Sequence, residues 1–216
     1  AIVDLRPDVS LALLNRANAL GIEALTGHTV TTTSGRLRVS SVRVGKVSGS
    51  RVTATRKIPC DTLLMCGGWT PSLHLFSHTK GSLSWDDAAG AFLPDRKTEE
   101  CQIAGAGRGL WGVAVALEDG ARAGAAAATA AGRKTGAGTF AVQNDRPGSG
   151  IVVKELPTDA NPGRAKAFVD FQNDVMAKDL RLAVREGMRS IEHVKRYTTN
   201  GMATDQGKLS NINGLM

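Results

Sequence analysis

Hydrophobic and polar positions run in two rhythms, and the change of rhythm divides the chain. The opening AIVDLRPDVSLALLNRANALGIEALTG reads as strand, turn and helix. Ile2 and Val3 are buried-strand residues; Pro7 and Asp8 open the helix, with Leu11, Leu14 and Ala17 on one face. Gly21 ends it, because glycine tolerates the left-handed conformation after a helix. A period-two pattern follows in TVTTTSGRLRVSSVRVGKVSGSRVTATRKIPCDTLLMCGG, with turn signals at Ser34-Gly35 and Ser48-Gly49-Ser50. Leu37 and Val39 alternate on one parity and Val42 and Val44 on the other, which predicts a bulge at Ser40-Ser41.

The apolar run Thr62 to Cys66 predicts a buried parallel strand, ending in a tight turn over Gly67-Gly68-Trp69-Thr70-Pro71. CQIAGAGRG repeats the logic. A strand around Gln102 to Ala104 should enter a glycine-rich loop, followed by helices over Leu110 to Glu118 and Ala121 to Ala131. Residues 133–163 are rich in glycine, proline and polar residues, and read as a linker with short β pieces at Thr139–Val142 and Ile151–Val153. Residues 164–216 read as two short helices. The first, Ala177 to Glu186, turns Leu180, Ala183 and Val184 inward and stops at Gly187. Ser190 caps the second, which buries Ile191, Val194 and Tyr197 and ends at Asn200-Gly201. The fold class expected is α/β, in segments 1–132, 133–163 and 164–216, without internal repeats.

Composition narrows the picture. Hydrophobic residues make up 42% of 216, and no apolar run is long enough to span a bilayer. AIVDLRP lacks the features of a signal peptide. Cys60, Cys66 and Cys101 are an odd, sparse set without C-x-x-C spacing. That argues against a disulfide framework and a sulfur-ligated metal site, and for a reducing cytoplasm. The net charge of +7 comes from 27 basic residues dispersed among 20 acids, with only 4% aromatics. No basic run is interleaved with stacking aromatics, so a phosphate-bearing cofactor or an acidic partner subunit accounts for the charge better than nucleic acid. Ala1 to Asp4 starts inside an apolar strand, and NINGLM follows the last helix-and-turn unit with no closing element, so a fragment of a longer chain is expected.

Candidate chemistry is sparse. Asp4 ends a strand, where the acid of a dinucleotide-binding βαβ unit accepts hydrogen bonds from ribose hydroxyls; a solvated turn residue is the plain alternative. Arg6 would contact phosphate or water. Gly105, Ala106, Gly107, Arg108 and Gly109 form a loop whose bare backbone could approach an anion. Leu110 stands where the third glycine of G-x-G-x-x-G would fall, and a tight turn needed for packing explains the glycines equally well. His74 and His78 are four apart without a third ligand nearby, and read as surface or packing residues. No nucleophile–base pair is legible.

CDTLLMCGGWTPSLHLFSHTKGSLSWDDAAGAFLP, CQIAGAGRGLWGVAVALEDGARAG and FVDFQNDVMAKDLRLAVREGMRSIEHVKRYTTNGMATDQGKLSNINGL together resemble the alpha subunit of heterotetrameric sarcosine oxidase. The resemblance implies a partial flavoprotein-reductase-like dinucleotide-binding fold followed by a small helical module. It implies NAD in this subunit, with Asp4 as ribose acid and Gly105, Ala106, Gly107 and Gly109 shaping a cofactor pocket. FAD and covalent FMN would lie mainly on the beta subunit. Beta, gamma and delta subunits would be partners, and sarcosine and tetrahydrofolate substrates of the complex. The last block also resembles the [2Fe–2S] module of opine and proline dehydrogenases. Its four cysteine positions fall here on Asp170, Gln172, Asp205 and Ser210, which cannot hold a cluster that needs thiolates or imidazoles. Met176 takes the place of a capping threonine, which should cost about 1 kcal/mol unless Asp174 substitutes. Two other readings stand: an opine- or proline-type dehydrogenase subunit, and a non-catalytic assembly module.

Overall fold

The computed structural model describes residues 1–97, 99–136, 138–143, 155–159, 161, 163 and 165–216. They fall into two compact units, residues 1–65 with 153–216, and residues 66–152.

The first unit opens with β1 (Ile2–Asp4), α1 (Leu11–Ala19) and β2 (Ala24–Thr26). β1 and β2 pair in parallel with Ile2 opposite Ala24, which makes α1 a crossover helix. The helix starts later than the sequence suggests. Ser10 is its N-cap and accepts the Leu13 N–H at 3.4 Å, so Pro7 and Asp8 remain outside it. Ala17 is buried but Leu11 is 76% exposed, so the inward face is narrower than predicted. Gly21 follows at φ +66°.

An antiparallel sheet follows in the order β3 (His28–Gly35), β4 (Val39–Ser48), β5 (Arg51–Pro59). Ser48-Gly49-Ser50 marks the β4–β5 turn, whereas Ser34 and Gly35 end β3 and the first turn falls at residues 36–38. The pairing slips between Ser34/Ser41 and Gly35/Val39, which leaves Ser40 as an extra residue at the expected bulge. The Ser40 hydroxyl donates to the Ser34 carbonyl at 3.1 Å. Val42 and Val44 form the buried centre, whereas Leu37 is 97% exposed in the turn. A further slip lies between Val44 and Lys46, where the facing strand carries Ala54 at φ +48°.

Residues 62–73 carry no regular structure, so the strand expected over Thr62 to Cys66 is absent. A strand of that composition needs pairing partners on its flanks. None pairs with it among the described residues, and Leu64 is 90% exposed. Gly68 takes φ +88°, but residues 67–71 form no assigned turn.

The second unit contains α2 (His74–His78) and the hairpin β6 (Leu83–Asp86) and β7 (Ala91–Pro94). Phe76 is buried against Gly81, where a Cβ would lie 2.4 Å from its ring. Trp85 and Phe92 meet edge-on, with centroids 5.1 Å apart. Residues 101–104 are irregular rather than a strand, and Gly105–Arg108 form one 3-10 turn. The two helices expected beyond it are one, α3 (Val113–Ala130). Gly120 and Gly124 each cost about 1 kcal/mol relative to alanine, too little to break an alanine-rich helix. Thr139 to Val142 form no strand, and Ile151 to Val153 lie outside the described residues.

The first unit resumes with the hairpin β8 (Phe168–Asp170) and β9 (Val175–Met176), then α4 (Ala177–Arg185) and α5 (Ile191–Thr198). Ala183 is fully buried and Val194 nearly so, while Val184, Ile191 and Tyr197 are exposed. The apolar stripe is therefore narrower than the sequence pattern suggests. Asp179, not Asp174, meets the start of α4: its carboxylate accepts the Met176 N–H at 2.9 Å. Ser190 makes no side-chain capping bond. A third helix, α6 (Ser210–Leu215), closes the module where none was expected.

Candidate functional site

The glycine loop is organised around a carboxylate. Asp119 on α3 is buried, and its Oδ2 accepts the Gly105 N–H at 2.9 Å. Its Oδ1 accepts from Arg108 Nη1 at 2.6 Å and from Arg122. The Gly105 N–H is the main cause that lowers this carboxyl's pKa; burial opposes it, and the Arg122 and Arg108 guanidiniums add to the lowering. Gly109 N–H turns back to the Ala106 carbonyl at 3.0 Å, and Leu110 N–H to that of Gly105 at 3.3 Å.

The glycines answer to packing. A Cβ on Gly107 would lie 2.5 Å from Ile103 Cγ2, and one on Gly109 would lie 3.0 Å from Leu93 Cδ2. Gly105 and Gly109 also take φ +63° and +75°, which favour glycine. Beside the loop lies an open cavity of about 450 Å³, lined by Lys97, Arg108, Asp119 and Arg122 among others. Arg108 and Arg122 are paired with Asp119 and Lys97 with Glu100 at 2.9 Å, and the Gly105 N–H is likewise committed to Asp119.

Asp4 lies in the other unit, at the end of β1 as expected. Its carboxylate accepts the Arg6 N–H at 2.9 Å, Arg6 Nε at 3.0 Å and Arg6 Nη2 at 2.7 Å. The Arg6 side chain is the main cause of its lowered pKa, against a smaller effect of burial. The strand-end acid and the nearby arginine are thus partners of each other. His74 and His78 are exposed on α2, and no group of His, Cys, Asp or Glu among the described residues has metal-holding geometry.

The four positions read from the iron–sulfur frame meet one another. Asp170 is buried and accepts the N–H of Gln172 at 2.9 Å, of Asn173 at 3.1 Å and of Gly201 at 2.9 Å, with Asn173 Nδ2 at 3.0 Å. Burial pushes its carboxyl up, but these donors outweigh it and leave the pKa below the usual value. The Gln172 side chain accepts the Asp205 N–H at 3.0 Å and donates to the Thr204 hydroxyl. Asp205 accepts the N–H of Leu209 at 3.2 Å and of Ser210 at 3.3 Å, and the Ser210 hydroxyl.

Sequence reasoning missed Asp119 and Arg122. Their i,i+3 spacing was the one legible signal, but such pairs are common on helix surfaces.

The mixed α/β fold is shared with the crystal structure of L-proline dehydrogenase from P. horikoshii, at TM-score 0.67 and 19% identity, over 98% of this chain and 43% of that one. At that identity the likeness concerns the fold. Residues 164–216 match the Sarcosine oxidase A3 domain. The whole chain is 39% identical to a sarcosine oxidase subunit alpha of Rhizobium meliloti (strain 1021), over 21% of that subunit's length. Over 98% of the chain, it is 36% identical to those of Corynebacterium sp. strains P-1 and U-96, covering 22% of each. The resemblance to sarcosine oxidase alpha subunits therefore runs through the entire chain, which spans about a fifth of the length of the curated relatives it matches. Among the described residues no helix is long and apolar enough to cross a membrane.

Proposed function

We propose that this chain is the segment of a sarcosine oxidase alpha subunit that supplies dinucleotide binding and subunit scaffolding. The observation that carries the proposal is identity of 36–39% with three such subunits over essentially the whole chain. The complete cytoplasmic complex, with beta, gamma and delta subunits, would oxidise sarcosine to glycine. Electrons would pass through flavins to oxygen and the one-carbon unit to tetrahydrofolate. FAD and FMN would reside mainly on the beta subunit and NAD on this one. The segment alone would be inactive, since the amino-acid-oxidising flavin belongs to another chain.

Within this segment, the cavity beside the glycine loop is the NAD phosphate site of the proposal. Arg108, Arg122 and Lys97 are its cationic groups, and Asp119 orients both arginines and the loop. Asp4, in the other unit, would be the ribose acid of a second, separate nucleotide-binding domain.

The test is to express the full-length subunit with its partners, release bound cofactors, identify them by mass, and follow peroxide formed from sarcosine. NAD, FMN and FAD with sarcosine-dependent peroxide uphold the proposal; no turnover with sarcosine overturns it. A bulky residue at Gly105 should empty the NAD site. Unchanged NAD occupancy in that variant would remove the loop assignment while leaving the enzyme reading intact.

A further inference from the structure

The cluster-bearing relatives implied by the resemblance tie two loops of this small module together through iron. Here the donor chemistry is wrong for a [2Fe–2S] cluster: two carboxylates, an amide and a hydroxyl stand at the four positions, and none of the three cysteines lies between residues 164 and 216. Losing four ligands without replacement would leave the loop after β8 and the loop before α6 joined by nothing. They are joined.

We infer that Asp170, Gln172, Asp205 and Ser210 form a metal-independent clasp that holds the A3 module closed in place of a cluster. Gln172 is the bridge. Its amide oxygen takes the Asp205 N–H at 3.0 Å and its amide nitrogen reaches the Thr204 hydroxyl, so one side chain grips the second loop twice. Asp170 makes a second bridge, to the Gly201 N–H in the turn beyond α5. Asp205 then fastens the loop to α6 by accepting from the Leu209 and Ser210 backbone and the Ser210 hydroxyl, donors at the start of that helix. Asn200, fully buried, adds a bond from its Nδ2 to the Ser210 carbonyl at 3.3 Å. Each of the four positions is a partner in the tie: the Asp170, Gln172 and Asp205 side-chain oxygens accept, and the Ser210 hydroxyl donates.

The clasp predicts a module whose closure is indifferent to chelators and reductants. In the full-length subunit assembled with its partners, hydrogen exchange would be followed at residues 201–215. Gln172→Ala should raise exchange there about 30-fold, the effect of losing two hydrogen bonds of ordinary net strength. Lys208→Ala, on the same loop with an exposed side chain, should leave exchange unchanged. EDTA and dithionite should change nothing in the wild type. Equal exchange in Gln172→Ala and wild type would overturn the clasp. So would faster exchange on chelation, or iron and sulfide in stoichiometric amount in the wild-type subunit. Should Gln172→Ala fail to assemble, Asp205→Asn keeps one acceptor oxygen of two, so it loses the charge and the bonds made to the other oxygen. It should show a smaller rise at the same residues, and no rise would count equally against the proposal.

Discussion

Replacing Gly201 by alanine tests the packing at the centre of the A3 module. Gly201 has φ +69°, a conformation that costs an alanine about 1–2 kcal/mol. The new methyl would also lie 2.2 Å from Asn211 Oδ1 and 3.0 Å from Gly207 Cα. Asn211 has little room to give way, because a Cβ on the neighbouring Gly207 would stand 2.1 Å from its Nδ2. The amide packs directly on two bare backbones. Overpacking of this kind adds about 1–3 kcal/mol, for a total of about 2–5 kcal/mol. Gly187→Ala is the control: it has φ +95° but nothing within 4 Å, so it carries only the strain. Native-state hydrogen exchange across α5 and α6 reads both variants directly. The two should differ by about 1–3 kcal/mol. Adding Asn211→Ala to Gly201→Ala should return most of the difference, because the obstructing amide is gone. Equal destabilisation by Gly201→Ala and Gly187→Ala would refute the account.

Three further outcomes are expected. Gly124→Ala, on an exposed turn of α3 with open space at its Cβ, should stabilise the second unit by about 0.5–1 kcal/mol in a urea titration. Ser10→Ala removes the cap of α1 and should cost about 0.5–1 kcal/mol, visible as faster exchange at Leu13 and Leu14. Asp170 has a folded-state pKa below its unfolded value of about 3.9, so its contribution is complete above that pH and is lost as pH falls through the lower folded-state value. Acid unfolding of the A3 module should therefore lose this component in Asp170→Asn, and an unaltered acid limb would contradict it.

What the sequence made legible was local. The hairpin turn at Ser48-Gly49, the extra residue at Ser40, and the burial of Ala183 in α4 and Val194 in α5 follow from patterns within a few residues. The strands expected at 62–66 and 102–104 failed for a different reason. An apolar run specifies burial, but a strand exists only when a neighbour completes its backbone hydrogen bonds, and no neighbour pairs with either run among the described residues. α6 was invisible because SNINGL is a weak helix former. It is held by Asp205, five residues ahead of Ser210, and by Asn200 just beyond α5, ten residues ahead. Asp119 was hidden likewise: its main backbone partner, Gly105, lies fourteen residues earlier.

The glycine loop shows why a motif and a site are different claims. Gly107 and Gly109 are required by Ile103 and Leu93 whether or not anything binds, so glycine content alone carries no information about a ligand. Asp119 is the group to test. Its buried carboxylate lies between a backbone N–H and two arginines, fixes the loop, and lines the same cavity as both arginines. Asp119→Asn separates the two roles: the amide oxygen can still accept the Gly105 N–H while the arginines lose their partner. If the carboxylate orients the arginines toward phosphate, this variant should keep its fold by circular dichroism and lose NAD from the assembled complex by about tenfold or more in affinity. Intact NAD affinity together with an intact fold would make Asp119 a fixture of the loop, and would move the search for the phosphate contact away from Arg108 and Arg122.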